Sequence, residues 1–172
     1  MSVHGSMVSR AASAHATFVI MENMDTMPSH EDANLILRLY KLRREETMRK
    51  ARQWFAENLH VTSWEELQAA APPRSGMNAY YRMVTSYWEM AASFVASGVL
   101  NQELFFQSNQ ELLLVWTRLR PIAEEVRRVT KNPNAWKNLE AVGNAYIEYW
   151  ERTAPGAYAA FVERTGAPAA KR

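Results

Sequence analysis

The stretch 77-MNAYYRMVTSYWEMAASFVAS-97 decides the fold. Tyr80, Tyr81, Val84, Tyr87, Trp88, Ala91, Phe94 and Val95 recur at three-to-four spacing, the period at which one side of an α-helix faces a core. Gly98 follows as a left-handed terminator, and the PPRSG run at 72–76 separates this helix from what precedes it.

The same logic extends in both directions. Upstream, Ser63 and Glu66 form a capping-box pattern at the start of a short helix that Pro72 and Pro73 end. Before it, one long helix is predicted from about Glu31 to Asn58, with Ser29 as its cap and a helical stripe of Leu35, Leu39 and Leu42. Its charged middle, KLRREETMRKAR, reads as an exposed surface with a Glu45–Arg49 pair.

Downstream, Asn101 caps a short segment through Phe106, and Ser108 with Glu111 gives a second capping-box pattern. Pro121 is expected to kink or divide the helix that follows near Leu119–Arg120. Pro133 begins another helix near 134–152, Pro155 opens a terminal one, and Gly166 stops it. The sum is an all-α chain, a compact bundle of six or seven helices with a short N-terminal arm. The domain organisation read from it is an arm at 1–28, one helical domain at 29–166 and a loose tail at 167–172.

The chain has 172 residues, 48% of them hydrophobic, which is enough for a core. It has no cysteine, so thiol nucleophiles, disulfides and Cys-ligated metals are excluded, and a cytoplasmic location is the simplest reading. A mean hydropathy of -0.36 and the lack of a long apolar run argue against a transmembrane segment, and the short apolar run at 18–21 is too brief for a secretory peptide. The pI near 9.0 suggests a basic protein, but the formal charge is only +2, acids are interspersed among the basic residues, and Lys171 and Arg172 supply the excess. No nucleic-acid partner is expected from so even a mixture.

The chemical constellations are sparse. Glu57 and His60 make one ExxH half-site, a di-iron bundle needs two, and no histidine follows His60, so no metal and no cofactor is expected. GxSxG, HExxH and GxxxxGK[ST] are missing from the sequence. Arg118, Arg120, Arg127, Arg128 and Lys131 sit among Glu124 and Glu125 and read as a surface ion-pair network. Gly143, inside a helix, reads as a close helix crossing in preference to a ligand contact. Glu89 and Glu140 stand among apolar neighbours, and either faces a pocket or projects sideways from a buried helix. Six tryptophans, one in almost every helix, describe a distributed core.

The runs YWEMAASFVASGVLNQELFF at 87–106, VWTRLRPIAEEVRR at 115–128 and AWKNLEAVGNAYIEYW at 135–150 resemble the bacterial helical family DUF4760. The resemblance covers about 77–152, and Trp116, Pro121, Arg127, Asn138, Leu139 and Glu140 are its matching positions. It implies an α-helical fold and a bacterial protein, and brings no reaction or catalytic residue with it. Many members join the domain to a membrane helix, and this sequence shows no such span.

Two functional expectations follow. One is a helical interaction or scaffold domain that self-associates, most simply as a dimer, through Phe18, Met21, Met24, Met27, Leu35, Leu39 and Trp54. The other is a small-ligand-binding or enzymatic domain with a pocket walled by Tyr87, Trp88, Glu89, Trp116, Arg120, Glu140 and Tyr146.

Overall fold

The computed structural model describes residues 27–166. Among them run nine α-helices and one 3-10 turn, with no strand. In chain order these are α1 (His30–Arg43), α2 (Glu46–Asn58), α3 (Trp64–Ala70), α4 (Gly76–Ala96), α5 (Gln102–Ser108), α6 (Glu111–Leu119), the 3-10 turn Arg120–Ile122, α7 (Ala123–Thr130), α8 (Lys137–Thr153) and α9 (Ala157–Thr165).

The local signals act where the residues place them. Ser29, Ser63, Ser75 and Asn101 each accept a hydrogen bond from a first-turn N–H of the helix they precede. Gly98 and Gly166 adopt φ of 74° and 58°, the left-handed conformation that ends a helix at little cost for glycine. Pro121 divides α6 from α7 through the 3-10 turn.

Two expectations are corrected. The helix predicted over 31–58 is two helices, because Glu45 takes an extended ψ of 138° and leaves the helical path. Its carboxylate caps α2 by accepting from Thr47 N (3.3 Å), in place of the expected side-chain pair with Arg49. The break frees α1 to lie against α5 while α2 packs along α4. Ser108 does not cap α6 either. It closes α5 by donating to Leu104 O (3.2 Å), and the residue before α6, Gln110, provides no side-chain cap.

Helix α4 is the central support, with α2 on one side and α8 on the other, and α6 packs across α8. The buried residues form one connected core, in which Trp88, Trp116, Phe55, Phe105 and Tyr146 are the largest fully enclosed side chains. Each such ring contributes roughly 1.5–3 kcal/mol through the apolar surface it removes from water. The remaining tryptophans (Trp54, Trp64, Trp136 and Trp150) pack at or around the edge of the same core, as a distributed core requires.

Gly143 marks the tightest crossing. A Cβ built there would fall 2.8 Å from Trp116 Cβ, and closer still to its Cγ and Cδ1. The indole lies on the α8 backbone, and its Nε1 donates to Asn144 Oδ1 of the next residue (3.0 Å). Gly143→Ala would gain about 1 kcal/mol of helix propensity. Trp116 is fully enclosed and cannot yield, so overpacking prevails and a net loss of about 2 kcal/mol is expected. Urea denaturation measures this directly; a rise in midpoint, as an unobstructed helical glycine would give, is the contrary result.

Candidate functional site

The acids that the sequence singles out for chemistry are engaged in structure. Trp136 precedes α8 with a left-handed φ of 54° and offers no side-chain acceptor for the first N–H groups of that helix. Glu89 of α4 fills the role from outside. Its Oε1 accepts from Asn138 N (3.1 Å) and Asn138 Nδ2 (2.8 Å), and its Oε2 accepts from Leu139 N (2.9 Å). A carboxylate there meets the positive end of the α8 dipole. Glu140, in the first turn of α8, is bound to Arg127 Nη2 (2.6 Å), while Arg127 Nε donates to Ala135 O (3.0 Å). Together these contacts fix the connection between α7 and α8.

Two further carboxylates act in the same way. Glu125 accepts from Trp64 N at the start of α3 (2.9 Å). Asp32 accepts from Asn101 N, the residue that caps α5 (2.7 Å), and from Ser29 N and Oγ. Burial alone would raise the Asp32 pKa. The hydrogen bonds from the Ser29 side chain and from the Asn101 and Ser29 backbones outweigh it and hold the carboxyl below its ordinary value.

Of the other residues expected to wall a pocket, Tyr87, Tyr146 and Trp116 make hydrogen bonds within the protein. Tyr87 is buried and donates to Leu39 O (2.9 Å), and Tyr146 donates to Phe106 O while its ring stacks on Phe106 at 4.2 Å. Burial pushes both phenols up to about 12, so neither exchanges a proton near neutrality. Trp88 lies within the core, edge-on to Tyr87, and its buried Nε1 finds no hydrogen-bond partner among the described residues. Trp116 is spent on Gly143 and Asn144. Arg120 is exposed in the 3-10 turn.

The basic group behind α6 divides. Arg128 makes the expected surface pair with Glu125 (3.4 Å). Arg118 does not belong to the surface. It is 2% exposed, donating from Nη1 to Leu59 O (2.8 Å) and from Nη2 to Thr165 O (2.6 Å) and Ala56 O (3.3 Å). Its charge thus sits at the carbonyl ends of α2 and α9, where the dipoles favour a cation. His60 is also at this end, with Nδ1 3.0 Å from Gly166 O. Among the described residues no group of three or more potential metal ligands converges.

Of the residues expected at an interface, Leu39 is in the core, Leu35 and Trp54 are half-buried against it, and Met27 is exposed. Phe18, Met21 and Met24 lie outside the described residues.

An open cleft of about 320 Å³, not expected from the sequence, lies between Arg49, Arg52 and Gln53 of α2 and Glu111, Leu114 and Val115 of α6. Arg52 grips Glu111 with two hydrogen bonds, Nε to Oε1 at 2.6 Å and Nη2 to Oε2, which raises the Arg52 pKa. Arg43 approaches the same carboxylate at 3.6 Å. None of the seven residues expected to wall a pocket lines this cleft. Its only trace in the sequence is the pair Arg49 and Arg52 at helical spacing; Glu111 comes from another helix.

These features define an all-helical bundle whose interior charges serve helix ends. The family described as domain of unknown function (DUF4760) matches residues 28–146, from the residue before the α1 cap into α8, and the chain belongs to that family. The match reaches upstream of 77, where the resemblance began, and takes in α1 to α3. No curated protein and no solved structure matches the chain.

Two outcomes are expected from the capping acids. Glu89→Ala should cost about 1–2 kcal/mol in urea denaturation, the loss typical of a removed helix cap. For Asp32 the folded pKa is depressed, so its contribution is fully present above the ordinary value of 3.8 and is lost as pH falls through the lower folded value. Stability measured from about pH 6 to about pH 2 should decline less steeply in Asp32→Asn than in the parent; parallel curves would contradict the assignment.

Proposed function

We propose that this chain is a protein-interaction domain that self-associates through α1, acting in the cytoplasm of a bacterium without a nucleic-acid partner. The observation that carries this reading is the poor burial of α1. Of its fourteen residues only Asp32 and Leu39 are buried, while Leu37, Leu42 and Tyr40 remain 58%, 52% and 44% exposed. At 100° per residue, Leu37 stands on the outward face with Tyr40 about 60° from it, while Leu42 lies about 140° round the helix, exposed at its C-terminal end.

A second copy of the chain is the occupant that the charges favour. Helix α1 begins with exposed Glu31 and ends with exposed Lys41, and exposed Arg44 follows as its C-cap. Two α1 helices paired antiparallel about a twofold axis bring the acidic start of each against the basic end of the other, with Leu37 near the crossing. Leu39 is left out because its own core encloses it. A stable interface buries roughly 1,200–2,000 Å² in total, more than one short helix pair supplies. We assign the remainder to Met27 and to the apolar residues Phe18, Met21 and Met24 that precede α1 in sequence.

The location rests on coarser support. Among the described residues no helix is long and apolar enough to cross a membrane, and the chain has no cysteine. The bacterial origin rests on the family resemblance, and the exclusion of nucleic acid on the evenly mixed charge.

Sedimentation equilibrium of the full chain from micromolar to millimolar concentration tests the reading. A dimer is expected, weakened about tenfold or more in Leu37→Asp, with helix content unchanged by circular dichroism. A parent chain that remains monomeric throughout, or a Leu37→Asp chain that dimerises equally well, overturns it.

A further inference from the structure

The cleft between α2 and α6 has a charge imbalance that its own residues leave uncorrected. Glu111 is the one acid in its wall, and Arg52 takes both of its oxygens. Arg43 lies behind the pair and draws on the same carboxylate at 3.6 Å, with a buried Nε that has no hydrogen-bond partner among the described residues. Part of its charge rests on aromatic faces, with its guanidinium carbon 5.4 Å from the Trp88 ring and 5.6 Å from the Tyr40 ring. Two guanidiniums therefore share one carboxylate. Arg49, on the cleft rim, has no hydrogen bond or ion pair among the described residues.

The excess is not freely solvated. The side chains of Arg43, Arg52 and Glu111 are only 12%, 28% and 18% exposed, so water screens them less than it screens a surface pair. Beside these charges the floor is apolar, formed by Ala56, Leu114 and Val115. A cationic rim over an apolar floor matches a molecule with an anionic head and a compact hydrocarbon body. The cleft volume falls at the small end of ligand sites, which run from roughly 300 to 1,000 Å³.

We propose that the α2–α6 cleft binds a small organic oxyanion, a carboxylate or phosphate monoester carried on a compact apolar group. Arg49 and the solvent side of Arg52 hold the oxygens, Arg43 keeps Glu111 neutralised behind them, and Leu114 and Val115 meet the apolar body. No α1 residue except Arg43 takes part, and the site does not depend on self-association.

Titration of the labelled full chain with phenyl phosphate and with benzoate, followed by amide shifts in two-dimensional NMR, tests this. Saturable shifts confined to residues 49–56 and 111–115 are expected with both probes. Inorganic phosphate, which lacks the apolar body, and benzyl alcohol, which lacks the charge, should bind more weakly. Arg49→Gln changes an exposed residue with no internal partner and leaves the fold intact. It should lower the affinity for both anionic probes by about tenfold, the effect of one charge-assisted contact. The inference is overturned if neither anionic probe gives saturable shifts there, if benzyl alcohol binds equally well, or if Arg49→Gln binds as the parent does.

Discussion

The contact of the Trp116 ring with the bare backbone at Gly143 sets the position of α6, and much of the molecule follows from that position. With no side chain between them, α6 and α8 approach so closely that seven of the nine residues in α6 are buried. A helix enclosed on nearly every side must be apolar or must find partners for its polar groups inside the protein. Helix α6 does both. Leu112, Leu113, Val115 and Leu119 enter the core, and Thr117 returns its hydroxyl to Leu113 O (2.6 Å). Arg118, two residues beyond the crossing, is carried into the gap where α2 and α9 end.

Arg118 would be costly there as an isolated charge. Burial pulls its pKa down, the direction desolvation gives a cation, yet three carbonyl oxygens from two helix ends surround the guanidinium. The opposite arrangement recurs at helix beginnings, where Asp32, Glu89 and Glu125 each accept backbone N–H groups at the start of an element other than their own. Charged residues thus reach helix ends from distant elements, at sequence separations of 47 to 69 residues; at α8 the distant acid stands in for a missing local cap, and at α3 and α5 it adds to the caps of Ser63 and Asn101. This accounts for acids lying among apolar neighbours without any requirement for acid–base chemistry at those positions.

The distinction between local and distant partners also explains what could be read from the sequence. Ser29, Ser63, Asn101, Gly98, Pro121 and Gly166 act within a few residues of themselves, so their roles were legible, as was the crowding behind Gly143. The break at Glu45 was hidden because helical periodicity continues across it, and only its backbone turn separates α1 from α2. The pattern at Ser108 and Glu111 was misleading for the converse reason. A real capping box and a chance serine three residues before a glutamate look alike until Glu111 is seen bound to Arg52, 59 residues away. Glu89 and Glu140 were recognisable as unusual acids, but their partners on other elements could not be identified.

The attachment of α1 brings these threads together. Besides Leu39 in the core and Leu35 and Ile36 against it, polar ties hold this helix: Asp32 to Asn101 N, Leu39 O to Tyr87 and Arg43 O to Arg52. Such ties are directional, so they fix the orientation of α1 without requiring its apolar residues to turn inward. Leu37 can therefore face solvent on a helix that is nevertheless firmly placed. The Arg43 carbonyl tie also runs into the Arg52–Glu111 pair, so the bond that anchors α1 helps fix the guanidinium at the α2–α6 cleft. Directional bonds at helix ends thus leave two surfaces unsatisfied and well defined, one apolar on α1 and one cationic beside α6.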